Sequence, residues 1–324
     1  MVANGRVSQL VLAAAVACAV PTVYAQQDSR PAVGYPNKPI RIVSSEPGGG
    51  TDFAARIVQG ISAALNQPVI VESRGGGLSP SIVAGAQPDG YTLLVAGSVF
   101  WIGPLIRKAS YDPVKNFSPI TLIGVQPTIL VVHPSVAANS VKELIDLAKA
   151  KPGALNYAST GIGASAHLAA ELLKAMAGVN IAHVPYKGTG AATIGLLGAQ
   201  VQLLFATPVS VTSLIKAGKL RALAVTSAKP SALVPGVPPV ATTMPGYEIR
   251  GASAMFAPAG TPAAIVGRLN QEAVRLLNQP EVKEKFFNVG VEVVGNSPAE
   301  LAAVLKAEMA RLGKVIRDAG IRED

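Results

Sequence analysis

The sequence predicts an α/β fold built on two sheets, and three observations carry that prediction. Apolar runs of strand length alternate with stretches of helical period from one end of the chain to the other. The runs are nearly continuous rather than alternating, as in mostly parallel sheets covered by helices on both faces. Ten such runs in 324 residues, 49% of them hydrophobic and 15% charged, exceed one comfortable core, so two domains are expected.

At the N-terminus, Arg6 precedes the apolar stretch Leu10 to Val20, and Val23-Tyr24-Ala25 places small residues where signal peptidase cuts. A signal peptide over residues 1–25 is expected, with cleavage before Gln26 and export from the cytoplasm. The apolar stretch is about half of the roughly 20 residues that a membrane helix needs. Cys18, the sole cysteine, lies inside it. Val16 and Ala17 before it suit a lipoprotein signal, but Ala15 stands where such signals carry leucine. Without lipidation the mature chain has no disulfide, no thiol chemistry and no cysteine-ligated metal.

The strand-length runs are 40–45, 68–73, 91–97, 129–133, 155–160, 181–186, 201–206, 220–226, 253–258 and 291–295. Between them Phe53, Ile57, Ile61 and Leu65 share one helical face. So do Val141, Leu144, Ile145 and Ala148; Leu168, Leu172 and Met176; and Leu269, Ala273 and Leu276. Asp52 is expected to cap the first helix and Ser140 a later one, with Glu143 completing a capping box. Pro/Gly-rich turns at 233–240 and 257–262 punctuate the second half.

Ligands of such sheets sit beyond the carboxyl ends of strands, where a helix begins. Glycines mark two such places: SSEPGGGTD after the first strand and STGIGASAH, 159–167, after the fifth. Backbone N–H groups at a helix start favour an anion, and glycine lets it approach closely, so both loops suit a carboxylate.

Other chemistries lack their residues. Gly48, Gly49 and Gly50 lead to Thr51 and Asp52 without the lysine of a phosphate loop, and Gly161-Ile162-Gly163 is not followed by the third glycine of a dinucleotide fingerprint. The formal charge of +9 comes from basic residues scattered singly, which reads as a dispersed surface and not as a nucleic-acid footprint. His133, His167 and His183 are far apart in sequence, so no metal site is expected. No Gly-x-Ser-x-Gly elbow is present, which leaves a secreted hydrolase as the enzyme alternative.

Long motifs in order carry a family resemblance. YPNKPIRIV and PGGGTDFAAR are followed by PDGYTLLV, YDPVKNFSPITLIG, VKELIDLAKAKPGALNYAST, GASAHLAAELLKAMAGVNIAHVPYKG, KAGKLRALAVTS and FAPAGTP. Over residues 35 to 322 the chain resembles the substrate-binding receptors of tripartite tricarboxylate transporters, the TctC-like or Bug proteins. The resemblance implies a type II-like periplasmic-binding-protein fold, two α/β domains joined by two crossing strands that act as a hinge. Domain 1 would be 35–127 plus 252–324, and domain 2 would be 128–251. It further implies a monomeric, non-enzymatic receptor without cofactor or metal. Such a receptor closes on a small organic acid or related molecule and presents it to a two-component membrane permease; presentation to a membrane sensor is the alternative. Carried onto this sequence, the ligand loops are Ser45, Glu46, Gly48, Gly49 and Thr51 on one side and Thr160, Gly161, Gly163, Ala164 and Ser165 on the other. Ser98 and the stretch Ala206 to Pro208, with Thr207 at its centre, sit where further loops converge.

Departures from the family pattern point to specificity. Ser44 and Ser45 replace a Val-Pro-aromatic stretch, ESRGGGLS at 72–79 shortens a rim segment, and Phe205-Ala206-Thr207 replaces Phe-Asp-Asn. Glu46 adds a carboxylate that would repel a second acid and welcome an amine or amide. Two readings stand for Trp101: an aromatic wall for the ligand, or an anchor in the core. Lys187 in the VPYKG turn likewise either reaches the cleft or belongs to a structural turn.

Overall fold

The structure is a computed structural model that describes residues 1–2, 34–44, 50–74, 78–161 and 163–322. The apolar stretch of the expected signal peptide, its cleavage site and Cys18 lie outside them.

The first unit opens with β1 (Ile40–Ser44) and a helix in two pieces, α1 (Gly50–Val58) and α2 (Ser62–Leu65), joined by a 3-10 turn. Next come β2 (Val69–Ser73), α3 (Leu78–Ala84), β3 (Thr92–Gly97), α4 (Val99–Ile106) and β4 (Phe117–Pro127). The middle of the chain forms β5 (Ile129–Val132), α5 (Val141–Ala150), β6 (Asn156–Ser159), α6 (Ser165–Ala177), β7 (Ala182–Pro185), α7 (Thr189–Leu197), β8 (Leu203–Ala206), α8 (Pro208–Lys216) and β9 (Arg221–Val225). The chain closes with β10 (Arg250–Pro258), α9 (Ala263–Leu277), α10 (Pro280–Asn288), β11 (Glu292–Val293) and α11 (Pro298–Asp318).

Two sheets result, a six-stranded one ordered β11-β4-β10-β3-β1-β2 and a five-stranded one ordered β7-β6-β8-β5-β9. All ten expected strands are present. The eleventh, β4, was not expected, because Pro119, Gly124 and Pro127 break its apolar pattern. It tolerates them beside β10 through two register shifts, and Gly124 lies so close to β11 that a Cβ there would sit 2.7 Å from Val291 Cγ1.

The expectation of mostly parallel sheets needs correction. Parallel pairing is confined to three strands of each sheet, β2-β1-β3 and β7-β6-β8. The strands nearer the crossings, β4, β10 and β5, pair antiparallel with their neighbours. The reason is the connection: the chain passes from β4 to β5 through Thr128 alone, without the helix that returns a chain to a parallel start. It comes back between β9 and β10. The two passages are bonded together: Thr226 N donates to Thr128 O at 2.9 Å, Thr128 N to Thr226 Oγ1 at 2.9 Å, and Ile249 N to Thr226 O at 3.0 Å.

Three apolar clusters cover the sheets. One packs α1 and α9 on the outer face of the six-stranded sheet around Ile42, Leu93, Ile120 and Leu269, and another packs α7 and α8 on the five-stranded sheet around Val131, Leu196 and Leu204. The largest runs through α4, α6 and α11 and touches both sheets, joining Leu94 and Phe256 to Leu130, Tyr157 and Phe205. Burying this much apolar surface at about 25 cal/mol per Å² is the main stabilising term. Trp101 belongs here: it is fully buried and its Nε1 donates to Glu308 Oε2 at 2.8 Å, so the core-anchor reading holds.

Two cap expectations change in detail. Asp52 sits inside the first turn of α1 instead of ahead of it and is buried. Its carboxylate accepts from Ser73 Oγ at 2.5 Å, Arg56 Nε at 2.9 Å and Ser44 Oγ at 3.3 Å, binding the ends of β1 and β2 to the helix. Ser140 caps α5 as expected, accepting from Glu143 N at 3.2 Å, but the Glu143 carboxylate reaches Asn139 N, one residue before the cap. A complete capping box stands at α11, between Ser297 and Glu300.

Candidate functional site

The carboxyl ends of β1, β3 and β6 open toward two adjoining cavities of about 220 Å³ each, which share Val99 as a lining residue. Val99 begins α4 and is 56% exposed.

The first cavity is lined by Gly50 and Thr51 at the start of α1, Gly97 and Ser98 after β3, and Gln126, Gly251 and Ser253 from the crossing strands. Ser98 is buried; its N–H donates to Ala252 O at 3.1 Å and its carbonyl accepts from Trp101 and Ile102 at the start of α4. Thr51 is therefore the member of the first ligand loop that the structure describes. Ser45, Glu46, Gly48 and Gly49 lie outside the described residues.

The second cavity brings together Thr160, Gly161, Gly163 and Ala164, after β6, with Ile102, Gly103, Ile106 and Arg107 of α4 and its end. Gly163, at φ +77°, approaches α4 closely: a Cβ there would lie 3.0 Å from Ile106 Cδ1. Ser165, first residue of α6, lines a separate void of about 10 Å³ with Arg250, Glu308 and Arg311. Thr207 lines neither cavity; it precedes α8, where its Oγ1 donates to Ser210 Oγ at 3.1 Å. Lys187 is exposed in a turn that Gly188 N closes onto Tyr186 O.

The glycine amides of the second loop already have acceptors. Gly161 N donates to Ser159 Oγ at 3.1 Å, and Gly163 N donates to His167 Nδ1 at 3.0 Å. Ala164 N turns back onto Gly161 O at 3.3 Å, and the N–H groups after it belong to the first turn of α6, which carries no side-chain cap.

Two histidines read as remote from one another meet behind this loop. Parallel pairing of β6 with β7 sets His183 beside Tyr157, and His167 stacks on His183 with ring centres 4.5 Å apart. His183 Nε2 lies 2.6 Å from Ser159 Oγ. Tyr157 donates its hydroxyl proton to Glu171 Oε1 at 2.6 Å, and Lys174 Nζ reaches the same oxygen. Burial lowers the His167 pKa to about 4, with the His183 charge adding to it and Glu171 opposing; burial also lowers that of His183. Both rings are neutral at pH 7.

Sequence reasoning missed Arg107, which with Lys108 at a helix end resembles any pair of surface cations, and the crossing-strand residues Gln126, Gly251 and Ser253. It also missed the histidine pair, whose only signal was that two adjacent strand-and-helix units each carried one histidine. Among the described residues no cluster of three or more His, Cys, Asp or Glu could hold a metal, and no helix is long and apolar enough to cross a membrane.

Two sheets joined by two bonded crossings, with one cavity at the strand ends of the six-stranded sheet and an adjoining one between α4 and the loop after β6, match the architecture of a two-lobed solute receptor. The model of the tripartite tricarboxylate transporter family receptors matches residues 53–321, and the chain belongs to that family. The Bordetella pertussis protein BugT is 34% identical over 299 residues, covering 89% of this chain and 91% of BugT. Two solved structures are similar. That of R. palustris Rpa4515 with adipate has a TM-score of 0.71 and 33% identity, covering 89% of this chain and 99% of that one. MatC from Rhodopseudomonas palustris with bound malate has a TM-score of 0.68 and 28% identity, covering 87% and 100%.

Proposed function

We propose that this chain is a monomeric periplasmic receptor, not an enzyme, that holds a small carboxylate-bearing metabolite between two domains and presents it to a two-component membrane permease. The observation that carries the reading is the pair of adjoining cavities at the strand ends, walled on one side by Thr51 and Ser98 and on the other by Thr160, Gly161, Gly163 and Ala164. The ligands of the two solved relatives, adipate and malate, are both dicarboxylates. The domains would be 35–127 plus 252–324 and 128–251, turning about Thr128 and the stretch between β9 and β10. Closure is the ligand's differential affinity for the closed form.

In this reading the first-turn amides of α6, starting at Ser165, receive the acidic group, with the helix dipole behind them. The glycines keep the wall thin enough for close approach. Ser45, Glu46, Gly48 and Gly49 would complete the opposite wall.

A thermal-shift panel on the mature chain tests this, with malate, succinate, glutarate, adipate, their amides and aromatic acids. A ligand at a hundredfold its Kd stabilises by about 2.7 kcal/mol, which raises Tm by roughly 4–5 °C. A rise with a carboxylate supports the receptor; no rise with any compound, together with hydrolysis of one, overturns it.

A further inference from the structure

The wall formed by Thr160, Gly161, Gly163 and Ala164 holds an improbable shape. Gly161 has φ +136° and Gly163 φ +77°, both outside the range that L side chains favour, and the turn is closed by Ala164 N on Gly161 O at 3.3 Å. What holds it comes from behind. Ser159 Oγ takes the Gly161 amide and touches His183, and His167 Nδ1 takes the Gly163 amide. Because a backbone N–H can only donate, His167 must present Nδ1 unprotonated and carry its proton on Nε2.

We propose that His167, backed by its stack on His183, is the positioning residue of the receptor's second ligand loop: its neutral ring accepts the Gly163 amide and so keeps the start of α6 turned toward the cavity. Protonation at Nδ1 would set two N–H donors against each other 3.0 Å apart and release the loop. The ring does not touch the cavity and is not a ligand contact. The inference rests on the receptor reading for its functional consequence, but its geometry is testable without any ligand.

The groups around the ring fix the direction of the pH response. Glu171 and Lys174 share its helix, His183 faces it from β7, and Tyr157 lies beyond on β6. On the other flank α11 packs on α6 and brings Glu308 and Arg311 to the void that Ser165 lines, with Arg250 from β10; Arg107 of α4 shares the cavity itself. Burial and the second imidazole disfavour the charged ring, so the loop is held at neutral pH and is released as pH falls through the His167 titration. Glu171 opposes this and moves the release toward higher pH.

Two variants separate positioning from bulk structure. His167→Asn keeps an acceptor at the Nδ1 position and cannot titrate; His167→Ala cannot titrate either but also lacks the acceptor. In ligand-free mature protein followed by NMR, the Gly163 amide resonance should move with the His167 ring as acid is added and stay still in His167→Asn. With whichever dicarboxylate of the panel binds, His167→Ala should weaken binding about tenfold, the value of one lost hydrogen bond, while His167→Asn stays within a few-fold and loses the pH dependence. A Gly163 amide indifferent to the His167 titration overturns the proposal whether or not a ligand is known. So does equal loss of affinity in both variants. If the amide titrates as expected and no dicarboxylate binds the wild type, the positioning role stands and the receptor reading fails.

Discussion

Replacing Trp101 by phenylalanine probes the link between α4, which walls the second cavity, and α11. The indole N–H donates to Glu308 Oε2 at 2.8 Å, and the carboxylate is buried. Desolvation pushes the Glu308 pKa up, while the Trp101 bond and the charges of Arg250 and Arg311 pull it back. Loss of a hydrogen bond to a charged acceptor costs about 1.5–3 kcal/mol. The smaller ring leaves roughly 40 Å³ unfilled, about 1 kcal/mol more at 24 cal/mol per Å³. The total is about 2.5–4 kcal/mol, a fall in Tm of roughly 4–7 °C for a chain of this size. The assay is chemical denaturation of wild type, Trp101→Phe, Glu308→Leu and the double variant across pH. A raised carboxyl pKa means that the folded state favours the protonated form, so ionisation weakens the fold as pH rises through the folded value. The Trp101 bond offsets that weakening; its worth should be greatest at neutral pH and shrink as acid protonates Glu308. The cycle should give a coupling of about 1.5–3 kcal/mol at neutral pH. A Trp101→Phe cost below about 1 kcal/mol and flat with pH would refute the reasoning, because it would mean that the indole donates to nothing charged.

Two further substitutions test the geometry elsewhere. Gly124→Ala places a Cβ 2.7 Å from Val291 Cγ1 and 3.0 Å from Glu292 O, so β11 must detach or shift; a loss of about 1–3 kcal/mol is expected by denaturation, and an unchanged midpoint would contradict the close approach. Arg107→Gln removes the guanidinium from the second cavity, so calorimetric titration should show dicarboxylate affinity reduced about tenfold, whereas equal affinity would place the ligand away from α4.

Much of the fold was legible because strand-length apolar runs and helical periodicity are local properties. β4 was not: its prolines and Gly124 are tolerated by bulged pairing with β10 and by the close passage of β11, both set by distant residues. The mixed pairing of the sheets was hidden for a related reason, since a single residue, Thr128, links β4 to β5, and strand direction depends on where a connection leads. The glycine loop after β6 was recognisable from its composition. Which of its amides are engaged was not, because their acceptors include His167, whose place depends on a helix direction and on a stack with β7. Trp101 had two readings in sequence because its partner, Glu308, lies far along the chain. Composition alone exposes neither a buried carboxylate nor the cavity that adjoins it.

The most direct test of the receptor account is equilibrium dialysis of the mature chain against a dicarboxylate selected by thermal shift, followed by chemical analysis of what was bound. The account expects one equivalent held per chain, released unchanged on unfolding, with affinity falling in His167→Ala. Formation of a hydrolysis product, or no retention of any carboxylate at saturating concentration, would contradict it.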